Sequence, residues 1–302
     1  MRRAIIILSV LALVGQANAT TAATAASDGV SSADKPPSPG LSFFANADAF
    51  WADNGTANFY SGIPVNENTI NRVLYSNTYG MQIWQNLYNQ GLISDAVGTY
   101  NQLQVIEYPN MYYRISYQFG LGMRYDYSSG FGWLLRFNIA KLQATGAFNL
   151  STDNGTGILG DDQYIRCGML GKEDRISIDL ALTRKVQVGA NTEVELDLGA
   201  SLINTKVKDN IMEIGGATYS ILDVWDHQTP DVGVESYEYI NQGGIGYGFF
   251  ATISAGYNIS EIGAIRLCYT CSQAYTNLTD YESWGWHHML GVRVEMNNFG
   301  KQ

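Results

Sequence analysis

Eight stretches of this 302-residue chain alternate apolar and polar side chains with a period of two, and the polar side carries charges. The clearest runs from Tyr113 to Tyr125: Tyr113, Ile115, Tyr117, Phe119, Leu121, Met123 and Tyr125 share one face, and Arg114, Ser116, Gln118, Gly120, Gly122 and Arg124 share the other. Successive strand residues point to opposite sides of a sheet, so such a stretch presents one apolar wall and one polar wall. A soluble sheet covers its apolar wall with a second layer. A transmembrane barrel turns that wall to lipid and keeps the polar wall inside.

The N-terminus favours the barrel. Met1-Arg2-Arg3 is basic, Ala4 to Val14 is apolar but too short to span a bilayer, and Ala17-Asn18-Ala19 fits a small-x-small cleavage site. Residues 1–19 therefore read as a secretory signal peptide. Residues 20–40, rich in Ala, Thr and Ser and ending Lys35-Pro36-Pro37-Ser38-Pro39-Gly40, read as a flexible periplasmic arm, and 41–302 as one barrel domain. Beyond the leader, no run of about 18 apolar residues remains to form a membrane helix. Composition agrees: 32 Gly and 20 Tyr suit strands and membrane interfaces, and only 15% of residues are charged. A net charge of -10 argues against nucleic acid as a partner.

The strands are expected at 41–51, 112–126, 131–142, 174–186, 192–204, 244–258, 264–274 and 284–296. Each matches the 9–11 or so residues that cross a bilayer on a tilt. Links after the second, fourth and sixth strands are short, and the others are long or irregular, as in a barrel with periplasmic turns and extracellular loops. Aromatics fall into two girdles: Trp51, Tyr113, Trp284 and Trp286 at loop-side ends, and Phe43, Tyr125, Phe131, Trp133 and Tyr257 at turn-side ends. The fold class is thus an all-β, antiparallel up-and-down transmembrane β-barrel of eight strands, with ten the alternative.

In these features the chain resembles the small outer-membrane barrels of Gram-negative bacteria, the eight-stranded OmpA, OmpX and OmpW types, over roughly Leu41 to Met296. The Tyr- and Asn-rich first loop also resembles that of Bacteroidetes barrels. The resemblance implies the cell outer membrane as location, reached through the cleaved signal peptide, and membrane lipid as a partner. Such barrels commonly end in an aromatic residue, whereas here Phe299 precedes Gly300-Lys301-Gln302.

The inward positions carry Asp48, Arg114, Arg124, Arg136, Asp179, Glu193, Glu195, Asp197, Arg266, Arg293 and Glu295. Eight strands leave room only for side chains, and buried charges must pair. These residues are therefore expected to form an Arg–carboxylate network that plugs the lumen, or, in the alternative reading, gates a narrow passive pore for ions or small solutes. Inward glycines, Gly256 among them, make room for long Arg side chains. The first loop, about 52–111, places Ile70, Val73 and Leu74, then Ile83, Trp84 and Leu87, at helical spacing. It reads as a cap over the barrel mouth or as a docking surface for a partner protein or glycan.

Catalysis has weak support. Asp226-His227 has no second pair set opposite it, and Trp286-His287-His288 offers no neighbouring Ser. No catalytic residue is assigned, and an outer-membrane hydrolase is the second alternative. The acidic third loop, 205–243, carries Asp209, Glu213, Asp223, Asp226, Asp231, Glu235 and Glu238, and Asp153-Asn154-Gly155-Thr156-Gly157 has a calcium-loop flavour, but neither completes such a loop. No cofactor or metal site is predicted. Cys268 and Cys271 should face opposite sides of their strand, leaving Cys167, placed in the second loop, to pair with one of them. The expected protein is non-enzymatic, acting as a structural, adhesion or complex-docking barrel through its extracellular loops.

Overall fold

The computed structural model describes residues 40–63, 69–76, 79–93, 103–152, 164–222, 242–260 and 263–299. The signal peptide, the arm up to Pro39, the 153–157 segment, Asp223, Asp226, His227, Asp231, Glu235 and Glu238 lie outside them. Among the described residues no helix is long and apolar enough to cross a membrane.

Eight long strands close into a ring. β1 (Gly40–Trp51), β4 (Ser116–Asp126), β5 (Phe131–Thr152), β6 (Tyr164–Gln187), β7 (Thr192–Ile214), β9 (Gly243–Ser260), β10 (Gly263–Leu278) and β11 (Tyr281–Phe299) pair antiparallel in that order. β11 then pairs with β1, which leaves no free edge. The count is eight, and the ten-strand alternative falls. Short pieces accompany the ring: β2 (Leu103–Glu107) and β3 (Tyr112–Tyr113) on β5, and β8 (Ala217–Ser220) on the end of β7. That last hairpin falls within the expected third loop.

The outward faces carry the expected belt. Leu121, Leu182, Phe249 and Leu267 are 58–72% exposed, with no second layer of described residues over them. An apolar band of this extent is stable only against lipid. Tyr247, Tyr275 and Trp284 cluster at its loop side, with ring centroids 5.3–5.6 Å apart. Tyr125 stacks on Trp133 at its turn side. The ten residue steps from Tyr247 to Tyr257 on β9 span about 26 Å across the membrane at a tilt of about 40°, close to the usual height of such a belt. The molecule is a membrane-spanning β-barrel.

Three expectations need correction. First, β5, β6 and β7 run 22, 24 and 23 residues, about ten beyond their predicted ends. Above the belt their polarity inverts. On β5 the outward series changes from Ile139 to Lys141, Gln143, Thr145 and Asn149, while the inward series changes from Asn138 to Leu142, Ala144, Phe148 and Leu150. Lipid outside has given way to water, so the apolar side chains turn in. The inversion breaks the single-phase pattern on which the strand ends were read. Second, Cys167 lies on β6 rather than in a loop, and all three cysteines are free; Cys268 and Cys271 do take opposite faces. Third, the link between β10 and β11 is a two-residue turn, Thr279-Asp280, with Asp280 at φ 57°.

The first loop supplies the cap. It holds α1 (Asn54–Ala57), a 3₁₀ turn (Asn58–Ser61), α2 (Ile70–Leu74) and α3 (Tyr79–Asn89). Asp53 and Thr69 cap α1 and α2 by accepting the amides of Gly55 and Arg72. Ile70, Val73, Leu74, Ile83, Trp84 and Leu87 are wholly buried in one apolar cluster with the inward residues of the strand extensions, including Leu142, Phe148, Met169, Met212 and Ile214. The cap thus fills the upper barrel instead of lying across its rim.

Candidate functional site: the barrel interior

From the turn side upward, the inward residues form successive layers. The lowest is ionic. Arg266 Nη2 reaches Glu193 at 2.8 Å and its Nε reaches Glu295 at 2.8 Å. Arg293 pairs with Glu195 at 2.8 Å and Asp197 at 3.2 Å. Arg124 contacts Glu195, and Glu295 at 3.0 Å. All three guanidinium groups are at most 1% exposed, so each ion is desolvated and depends on its partners. Asp126 and Lys185, absent from the predicted set, close this layer 2.8 Å from each other, with Asp126 also 3.2 Å from Arg124. Gly256 makes room as expected: a Cβ there would lie 2.9 Å from Arg266 Cγ.

Above it sits an apolar ring of Phe44, Leu134, Ala181 and Phe250. The Phe44 ring face packs against the Arg293 guanidinium at 4.8 Å, and that of Phe250 against Arg136 at 5.3 Å. These contacts join the ring to the ionic layers on both sides.

The next layer holds Arg136, whose Nη2 is 2.8 Å from Asp179, with Asn138 donating to the same carboxylate at 2.7 Å. Asp48 accepts from Asn46. A cavity of about 50 Å³ lies here, lined by Arg136, Arg175, Asn138, Gln118, Ser177 and His287 among others. It has room for a few water molecules. Two polar atoms of lining residues, Asn138 Oδ1 and His287 Nε2, have no hydrogen-bond partner among the described residues.

A fourth layer was not foreseen. Arg175 Nε meets Glu173 at 2.6 Å, and the same carboxylate accepts from Tyr60 at 2.6 Å and Tyr113 at 3.1 Å. Burial first, and then the negative Glu173, hold the Tyr60 phenol well above its ordinary pKa, so it stays a donor. Gly171 admits the Tyr60 ring, which a Cβ would strike. Glu173 and Arg175 share the inward phase of Asp179, so extending the fourth predicted strand by one residue would have found the pair.

Ten of the eleven predicted interior charges therefore turn inward, and Arg114 does not. β3 and β4 meet β5 in registers one residue apart: Tyr113 opposes Ala144, but Tyr117 opposes Lys141. The extra residue is a bulge that reverses the phase. Arg114 and Ile115 are both exposed, and Tyr113, expected at the lipid face, turns in to Glu173.

His288 faces outward, its Nδ1 2.9 Å from the Tyr269 hydroxyl. His287 is walled in, and its Nδ1 accepts the Asp53 amide at 3.0 Å. Asp209 and Glu213 sit on the β7 extension rather than in a loop, and Asp209 pairs with Lys172 at 2.8 Å. Among the described residues no cluster of three His, Cys, Asp or Glu is arranged to hold a metal.

No protein-family model and no curated protein sequence matches the chain. Several solved structures do. Neisserial surface protein A is 9% identical, with 85% of this chain and 96% of that one covered, at a TM-score of 0.37. The attachment invasion locus protein Ail of Yersinia pestis, solved with the heparin analogue sucrose octasulfate, is 11% identical over 86% and 99%, at 0.31. The outer membrane protein OprG of Pseudomonas aeruginosa is 9% identical over 87% and 99%, at 0.34. At these values the assignment to the membrane-spanning barrels rests on the strand pairing and the lipid-facing belt.

Proposed function

We propose that this is a non-enzymatic outer-membrane barrel whose lumen is closed by a charge plug and which acts through its extracellular surface as a structural, adhesion or docking component. The observation that carries this reading is the stacking of buried layers, from Arg124, Arg266 and Arg293 up to the cap built on Trp84. A solute path would have to open the ionic layer, the Phe44–Phe250 ring and the cap together. The signal-peptide pattern at residues 1–19 supports export, and the belt supports a membrane home. The seclusion of His287 speaks against its use in hydrolysis.

Crosslinking in native outer membranes, read by mass spectrometry, tests the docking role. The expected result is protein partners joined through exposed residues of the loop side, such as Met81 and Tyr88 on α3. Solute uptake through the purified barrel, with no partner joined there, would overturn the reading.

A further inference from the structure

The outward face of β5, β6 and β7 above the belt forms the floor of a groove of about 830 Å³. Its floor is low because small residues meet there: Ala147 opposes Gly168 in the ladder. Its side wall is the 107–114 segment, which places Arg114 in the groove through the same bulge that removed it from the lumen. Arg166 enters from β6. Both guanidinium groups are exposed, and neither forms an ion pair among the described residues. Tyr112 adds a half-exposed ring. Glu107 is held by the Asn149 amide at 3.1 Å.

Height selects the occupant. On β5 the last apolar outward residue of the belt is Ile139. Gln143, whose carbonyl accepts the Arg114 amide, is four residues further on, and Asn149, opposite Arg166, is ten. With about 3.4 Å rise per residue and a tilt of about 40°, the groove runs from about 10 Å to about 26 Å above the apolar belt. A phospholipid headgroup stops short of the groove, since the polar zone of each leaflet is on the order of 6 Å deep. A sugar headgroup attached to a lipid would follow the whole length. Unpaired arginines are suited to phosphate, while a tyrosine ring with Asn and Glu side chains is suited to sugar faces and hydroxyls.

We infer that this groove binds a phosphorylated glycolipid of the surrounding leaflet, phosphate toward Arg114 and sugar toward Arg166. The inference rests on the proposed reading that this end of the barrel is extracellular. A leaflet lipid also meets the groove at high effective concentration, having only to diffuse in the plane.

The test uses the full barrel in phosphatidylcholine nanodiscs doped with lipid A (an acylated, phosphorylated glucosamine disaccharide) or with phosphatidylglycerol. Retained lipid is counted by native mass spectrometry. Two variants are compared: Arg114→Gln with Arg166→Gln, and Gly168→Trp. A Cβ at Gly168 meets nothing nearer than 3.6 Å, so the indole can fill the groove from an unstrained position. The wild type should retain lipid A at least tenfold better than either variant and show no such preference for phosphatidylglycerol. Equal retention by all three proteins would overturn the inference. So would phosphatidylglycerol binding as well as lipid A, or full displacement by the soluble, deacylated phosphorylated disaccharide. Barrel folding is checked by heat-dependent gel mobility. A folded barrel that ignores lipid A therefore refutes the groove alone and leaves the docking reading to its own protein crosslinks.

Discussion

At the scale of single residues, phase decides what a charge does. Arg124 and Arg114 lie on the same alternation in the sequence, yet one is fully buried among carboxylates and the other is solvent-facing, because one bulged residue separates them. Period-two reading located ten of the interior charges but could not see the bulge, which has no composition of its own. Within the ionic layer Glu195 is the hub, touching Arg124, Arg266 and Arg293. Glu195→Gln removes the one carboxylate that three buried guanidinium groups share and should cost about 3–5 kcal/mol. Urea unfolding in lipid vesicles measures it. A loss under about 1 kcal/mol would mean that the layer is hydrated and its charges are screened.

At the scale of elements, the sequence revealed the part of each strand that faces lipid and concealed the part that faces water. The belt sections of β5, β6 and β7 show apolar residues outward. Their extensions show them inward, so a search for one continuous phase stops at about Leu142, Asp174 and Asn204. The helical spacing of Ile70, Val73 and Leu74 and of Ile83, Trp84 and Leu87 was legible, but its target was not, because the surface that receives it lies on those unseen extensions. The cap should accordingly have a stability of its own. Trp84→Ala removes a side chain only 1% exposed and should weaken the cap by about 3–5 kcal/mol while leaving the belt intact. Limited proteolysis should then cut within α2 or α3 while the heat-dependent gel shift persists. Loss of the gel shift as well would show that the cap and the belt fold as one unit.

At the scale of the molecule, the barrel is a scaffold with two environments stacked along one axis. Its lower part is an inside-out protein, with charges within and apolar residues against lipid. Its upper part is an ordinary one, with an apolar core and a polar exterior. The ionic layers and the capped core fill the axis with different chemistries, and the proposed plug puts function on the outer surface. Single-channel recording in planar bilayers tests this most directly. No resolvable conductance steps are expected from the intact barrel at moderate voltage, and none from the Trp84→Ala variant either, since the proposed Arg124–Glu195–Arg293 plug would remain in place. Steady open-channel current in the intact protein, altered in size or ion preference by Arg136→Gln or Arg266→Gln, would contradict it.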